Sequence, residues 1–226
     1  MHKLRNTAVL FAGMVLLAAL LTPAPAAAAF ESLFAPKAKL WPRWLAHDAD
    51  SRATIDHQTW DRILKRYIKP GPEGLNRFAY AAFSPEENRR LASYVRALAA
   101  VKISQYARSE QFAYWVNLYN ALTVRVVLER YPVKTIRDID ISPGLFADGP
   151  WGKKLVSVEG HKLSLDDIEH RVLRPIWRDA RIHYVVNCAA YSCPNLPRSA
   201  LTSANTERVL EAAARDYVNS PRAVRF

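Results

Sequence analysis

His183, Asn187, Cys188, Ser192 and Cys193 fall within eleven consecutive residues. These are the side-chain types of a thiol nucleophile, a base to activate it and an amide to orient the base. In that arrangement Cys193 attacks an acyl carbon and His183 takes the thiol proton. The same cysteines suit a Cys188–Cys193 disulfide closing a small loop, a pair of packed thiols, or metal ligation. A disulfide and a permanent nucleophile exclude each other. The chain has no CxxC or HExxH spacing, so the metal reading has the least support, and no cofactor is expected.

A second group follows Ser164: Asp166-Asp167-Ile168-Glu169-His170. On an α-helix Asp166 and His170 lie one turn apart, as do Asp167 and His170. A carboxylate beside an imidazole raises its pKa and fixes its tautomer, as an acid/base histidine requires. Acids at a helix start and a histidine at its end also suit the helix dipole, with no catalytic role. Glu169 is a further candidate to orient His170 or His183. Asn117 and Asn120 share a helix face in an otherwise apolar segment. Buried amides are costly unless hydrogen-bonded. These two either tie neighbouring backbone to the core or, with Asn187, orient a substrate.

The elements that must position these groups follow from spacing. Apolar residues at helical intervals predict a helix over 59–68, stopped by Pro70-Gly71-Pro72. Ser84-Pro85-Glu86-Glu87 reads as a capping box opening a helix to about Ala100. Residues 109–131 are apolar almost all round, which predicts a buried central helix closed by Pro132. Glu159-Gly160 between two short apolar runs predicts a hairpin, and Ser164 caps a helix over 165–173 ended by Pro175. Residues 182–186 are a strand candidate, which puts His183 and Asn187 on one face. Residues 77–83 read as a short extended piece, 30–57 as an arm anchored by Trp41 and Trp44, and 205–218 as a last amphipathic helix. The order predicts an α+β fold, mostly helical, with a small antiparallel sheet packed on the central helix.

The motifs resemble those of a known family. Phe112-Ala-Tyr-Trp-Val-Asn117-Leu-Tyr-Asn120-Ala-Leu is similar to the FWINLYNAL helix of the domain of unknown function 547 family. Leu163-Ser-Leu-Asp-Asp-Ile-Glu169-His170 with Leu173-Arg174 resembles its LSLDDIEH…LR segment. Arg181-Ile-His183-Tyr through Asn187-Cys188 and Ser192-Cys193-Pro194 resembles RIHFALNC…SCPPL, with Asn195 at the second proline. Tyr217-Val-Asn219-Ser-Pro-Arg matches YINSPRGV. The resemblance covers about residues 100–226. It implies further chain beyond the last motif, so a C-terminal truncation is expected. It supplies positions and no reaction. In outline the buried helix and His-bearing segment are similar to papain-like and transglutaminase-like folds, whose catalytic cysteine starts the central helix; none stands there here.

The remaining signals concern location. His2, Lys3 and Arg5 precede an uncharged apolar run, Ala8 to Leu21, followed by Pro23, Pro25 and Ala26-Ala27-Ala28-Ala29. Charge, apolar run and small-residue exit make residues 1–29 a secretory signal peptide. The run is 14 residues, short of the roughly 20 that span a bilayer. The expected organisation is signal peptide 1–29, N-terminal arm and helix 30–83, and family-like domain 84–226. The mature chain is expected in a bacterial periplasm or secreted, without a transmembrane anchor. Removing Lys3 and Arg5 lowers the formal charge from +11 to +9. The basic residues are scattered among acids, which argues against nucleic acid and leaves an acidic envelope polymer or a peptide substrate as partners. Two functions stand. One is a thiol-dependent hydrolase or acyltransferase with Cys193 as nucleophile, His183 or His170 as base, and Glu169 or an asparagine as orienter. The other is a non-catalytic envelope-binding module stabilised by a Cys188–Cys193 disulfide.

Overall fold

Helix α3, Arg108–Arg130, is the element on which the rest is assembled. Every residue from Glu110 to Val124 in it is buried, as its lack of a polar face requires. A computed structural model describes residues 38–144, 148–221 and 223, and the leader expected over 1–29 lies outside the described residues. Helix α1 is Gln58–Tyr67 and α2 is Pro85–Ala100. Helix α1 packs on α2, and α2 packs on α3. Trp60, Ile63 and Leu64 of α1 and Leu91 and Leu98 of α2 are almost fully buried at that seam. Each such side chain contributes roughly 1.5–3 kcal/mol. The helix start expected at Ser84 forms: its Oγ accepts from the Glu87 backbone N–H at 3.2 Å.

Two antiparallel hairpins flank the helices, so the fold is α+β. Strand β1, Ile68–Pro70, pairs with β2, Asn76–Phe78. Only that part of the expected 77–83 piece is extended, because a tight turn follows at Tyr80–Ala82. Strand β3, Val156–Val158, pairs with β4, His161–Leu163. Their turn sets both Glu159 (φ 46°) and Gly160 (φ 80°) in the left-handed region, the two-residue turn that matches strand twist. Glu159 tolerates this conformation because its carboxylate is held by Ser104 N and Oγ, at 2.9 and 2.7 Å, and by Arg43. Helix α5 is Thr206–Val218. Among the described residues no helix is long and apolar enough to cross a membrane.

The arm is anchored by Trp44, 3% exposed and edge-on to Trp115 at 5.0 Å. Two expectations fail. Residues 182–186 form no strand: Ala180–Tyr184 is a 3-10 turn. Its start is capped by Asp179, which accepts from Arg181 N at 2.8 Å. Ile182, Val185 and Val186 are buried at helical spacing, so His183 turns outward and does not share a strand face with Asn187. Nor does Pro175 end the helix after Ser164. A π-helix, Asp167–Leu173, runs directly into a last α-turn, α4, Arg174–Trp177, which Arg178 closes in a left-handed conformation.

Candidate functional site

The π-helix begins at a reciprocal cap. Ser164 N and Oγ donate to Asp167 Oδ2 at 2.8 and 2.9 Å, and Asp167 N donates back to Ser164 Oγ at 3.2 Å. Lys154 and Arg171 complete the shell around this carboxylate. Burial pushes the Asp167 pKa up, but the Lys154 and Ser164 hydrogen bonds outweigh it and hold it below its ordinary value. Asp167 is thereby committed to the cap and two cations, and His170 is not its partner. Asp166 has the opposite balance. Burial first, then Glu169 and Asp167, raise its pKa to about 6. The folded state favours its protonated form, so this residue's contribution is full in acid and is lost as pH rises through about 6. Asp166→Asn should therefore raise the Tm at pH near 7 and leave it nearly unchanged near pH 4. Equal shifts at both pH values would refute this assignment.

The π geometry builds the centre of the site. Pro175 has no N–H to offer the preceding turn. The carbonyls of His170 and Arg171 accept instead from Lys39 N at 2.9 Å and Trp41 N at 3.0 Å. Arg174 N–H bonds the Glu169 carbonyl, five residues back. In an α-helix side chains five apart point about 140° away from each other; the wider π turn brings these two together. Arg174 Nε and Nη2 donate to Glu169 Oε1 at 2.9 and 2.6 Å. The Glu169 side chain is 13% exposed. It faces the buried Tyr119 phenol, whose pKa is raised well above its ordinary value by burial and then by Glu169.

Both candidate histidines stand at this pair. Arg174 Nη2 lies 3.3 Å from His183 Nδ1. A guanidinium only donates, so Nδ1 accepts and the outward Nε2 carries the proton. His183 is solvent-exposed at its rim, yet shielding of its inner edge lowers its pKa, and Arg174 lowers it further against Glu169. His170 is half-buried, and burial likewise lowers its pKa, with Glu169 opposing and Arg174 assisting. Among the described residues its imidazole has no hydrogen-bond partner. The structure thus brings Glu169, His170 and His183 together around Arg174, a residue that the reading of chemical types had not marked. Its position inside the family-like LR motif was the available signal.

The three asparagines brace the backbone. Asn117 Nδ2 donates to Leu201 O at 2.8 Å, and its Oδ1 accepts from Leu201 N at 3.0 Å. Asn120 Nδ2 donates to Val185 O at 2.8 Å, and its Oδ1 accepts from Asn187 N at 2.9 Å. Asn187 passes the brace on, donating to Pro194 O at 2.6 Å and accepting from Ala189 N at 2.9 Å. Ala189 sits inside that bracket at φ 58°. The bracketed loop is closed by a Cys188–Cys193 disulfide, Cα–Cα 6.2 Å. These are the chain's two cysteines, so this form carries no thiol. Tyr217 connects the loop to His183: its hydroxyl donates to Ser192 O at 2.8 Å and its ring lies 6.3 Å from that of His183. Among the described residues no group of three His, Cys, Asp or Glu side chains has the geometry to hold a metal ion.

Residues 103–218 match the family model described as protein of unknown function, DUF547. The chain belongs to the DUF547 family. No curated protein and no solved structure matches it. The DUF547 region holds α3, the second hairpin, the π-helix, the disulfide loop and α5, and so every residue of the Glu169–Arg174 cluster. Elements before it, α1, α2 and the first hairpin, lie outside the DUF547 match, yet residues 39–41 hold the π-helix carbonyls that Pro175 leaves open.

Proposed function

We propose that this DUF547 protein is an exported, non-catalytic binding module that engages an acidic polymer of the bacterial cell envelope. The observation that carries the reading is the Cys188–Cys193 disulfide, which removes the only thiols the chain has. The leader pattern in residues 1–29 supports export to a periplasmic or extracellular space, where such a bond persists. The surface left for binding is a set of donors. Arg174 Nη1 has no hydrogen-bond partner among the described residues, and the outward Nε2–H of His183 and the free imidazole of His170 lie beside it. Carboxylate or phosphate groups accept from such donors. Retention on a poly-glutamate matrix tests the reading. Retention should fall as salt rises, and Arg174→Gln should weaken it several-fold with an unchanged circular dichroism spectrum. Both histidines have lowered pKa values, so they are neutral near pH 7 and become cationic only below the ordinary imidazole range. Retention should therefore rise as pH falls below the ordinary imidazole range, and lose that rise in His170→Gln/His183→Gln. Salt-independent retention, or none, would sink the proposal.

A second reading, a thiol-dependent hydrolase or acyltransferase acting on a peptide, has its own support. Tyr217 links the Cys193 loop to His183: its hydroxyl bonds the loop, and its ring lies 6.3 Å from that of His183. Reduction of the disulfide by an envelope dithiol, itself oxidised, would free Cys193 to attack, with His183 or His170 as base and Glu169 orienting it. After phosphine reduction, Cys193 should be alkylated with a midpoint well below the ordinary thiol value of about 8.5, and His183→Ala should restore that value. Equal, ordinary titration of both cysteines would dispose of this reading.

A further inference from the structure

A cavity of about 220 Å³ lies between α5 and the loop 195–199. No residue of the Glu169–Arg174 cluster and neither cysteine lines it. Three charged side chains do: Arg198 from the loop, and Arg208 and Asp216 from α5. All three are exposed, and none has a hydrogen bond or ion pair from its side chain among the described residues. The neighbouring charges on α5 behave otherwise. Glu207 and Glu211 pair with Arg181, and Arg215 pairs with Glu211. Opposite charges thus line one small cavity without meeting.

Helix geometry keeps them apart. Arg208 and Asp216 are eight residues apart, which places their backbones about 12 Å apart along the axis. Ala212 stands four residues from each, at the interval where a charged side chain would have paired with one of them. It leaves that position open instead. Leu196, 5% exposed, and Val209, 8% exposed, line the same cavity and give it an apolar floor. The cavity therefore has a cationic end at Arg208, an anionic end at Asp216 and apolar side chains between. Arg198 adds a second guanidinium from the loop wall.

A ligand that satisfies both ends carries a carboxylate and an ammonium about as far apart as these charges. A single amino acid is too short, since both its charges sit on one Cα. An extended chain advances about 3.3–3.6 Å per residue, so three residues reach about 10–11 Å, and the long arginine side chain covers the rest. We propose that this cavity binds a short peptide of small apolar residues, about three long, with both termini free. Its C-terminal carboxylate accepts from Arg208 and Arg198, the planar fork that suits a carboxylate. Its N-terminal ammonium donates to Asp216, and its side chains lie on Leu196, Val209 and Ala212. Binding here needs neither the acidic-polymer site nor a thiol.

Trialanine is the probe, titrated into the whole chain and followed by backbone amide NMR shifts. Saturable shifts are expected at 195–199 and 208–217. Acetylating the N-terminus or amidating the C-terminus removes one charge, and each should weaken binding about fivefold, as fits a partly exposed ion pair. In Asp216→Asn the free and acetylated peptides should bind equally, while amidation still weakens. In Arg198→Gln/Arg208→Gln the reverse should hold. These side chains are exposed and unpaired, so both variants fold, and a role confined to the fold would not move one terminus and spare the other. Ala212→Leu should fill the floor and abolish saturable shifts. No saturable shift in the parent chain, shifts confined to other surfaces, capped peptides that bind as tightly as the free one, or an acetylation penalty kept in Asp216→Asn would each overturn the proposal.

Discussion

Asn120→Ala should lower the free energy of unfolding by about 2–4 kcal/mol, measured by urea denaturation. The side chain is 2% exposed and clamps two successive backbone sites, the carbonyl of Val185 and the N–H of Asn187. Truncation leaves both polar groups unpaired against the core, each costing about 1–3 kcal/mol, and opens a small cavity. Asn120→Leu separates the two costs. It fills the volume but makes neither bond, so it should recover only a minor part of the loss. If Asn120→Leu were as stable as the parent, the clamp would contribute little and the amide would be free for another role. Because the clamped segment carries His183 and begins the disulfide loop, the variant should also loosen both.

Removing the disulfide, in Cys188→Ala/Cys193→Ala, should cost about 2 kcal/mol, the loop-entropy value for so short a ring. The separation of the two cysteines is five residues. Below its melting temperature the variant should still be retained on poly-glutamate in a salt-dependent way. Arg174 is held by Glu169 and by the π-helix, and neither depends on the loop. The same variant abolishes any thiol chemistry outright, so unchanged retention together with lost turnover of a peptide substrate would separate the two functions.

Much of the framework was legible because it depends on local rules. The Ser84 cap, the Glu159-Gly160 turn and the all-apolar run around Trp115 are read from composition and spacing, and each formed where expected. What escaped depends on tertiary satisfaction. Ile182, Val185 and Val186 are β-formers by type, but the Asp179 cap and a core on one side made them a helical turn. The pairing expected between Asp167 and His170 assumed α-helical spacing, while Pro175 and the N–H groups of Lys39 and Trp41 imposed a wider turn. The partner of Glu169 was therefore Arg174, five residues on. For the asparagines, the sequence offered a bracing role and a substrate role, and only the position of two backbone strands of loop shows where their amide atoms go.

The π-helix also makes the Glu169–Arg174 pair tolerant of chain length. A π turn carries one residue more than an α turn while keeping its two ends on one side. Deleting Arg171 and relieving the proline with Pro175→Ala would place Glu169 and Arg174 at the ordinary four-residue helical interval, where the same ion pair forms. The guanidinium would keep its carboxylate, but the His170 carbonyl now bonded to Lys39 N would return to the helix and the Arg171 carbonyl bonded to Trp41 N would be gone, which releases the N-terminal segment. The extra residue is thus a fastening for residues 39–41, and its deletion should be read in the protease sensitivity of that segment before it is read at the ion pair.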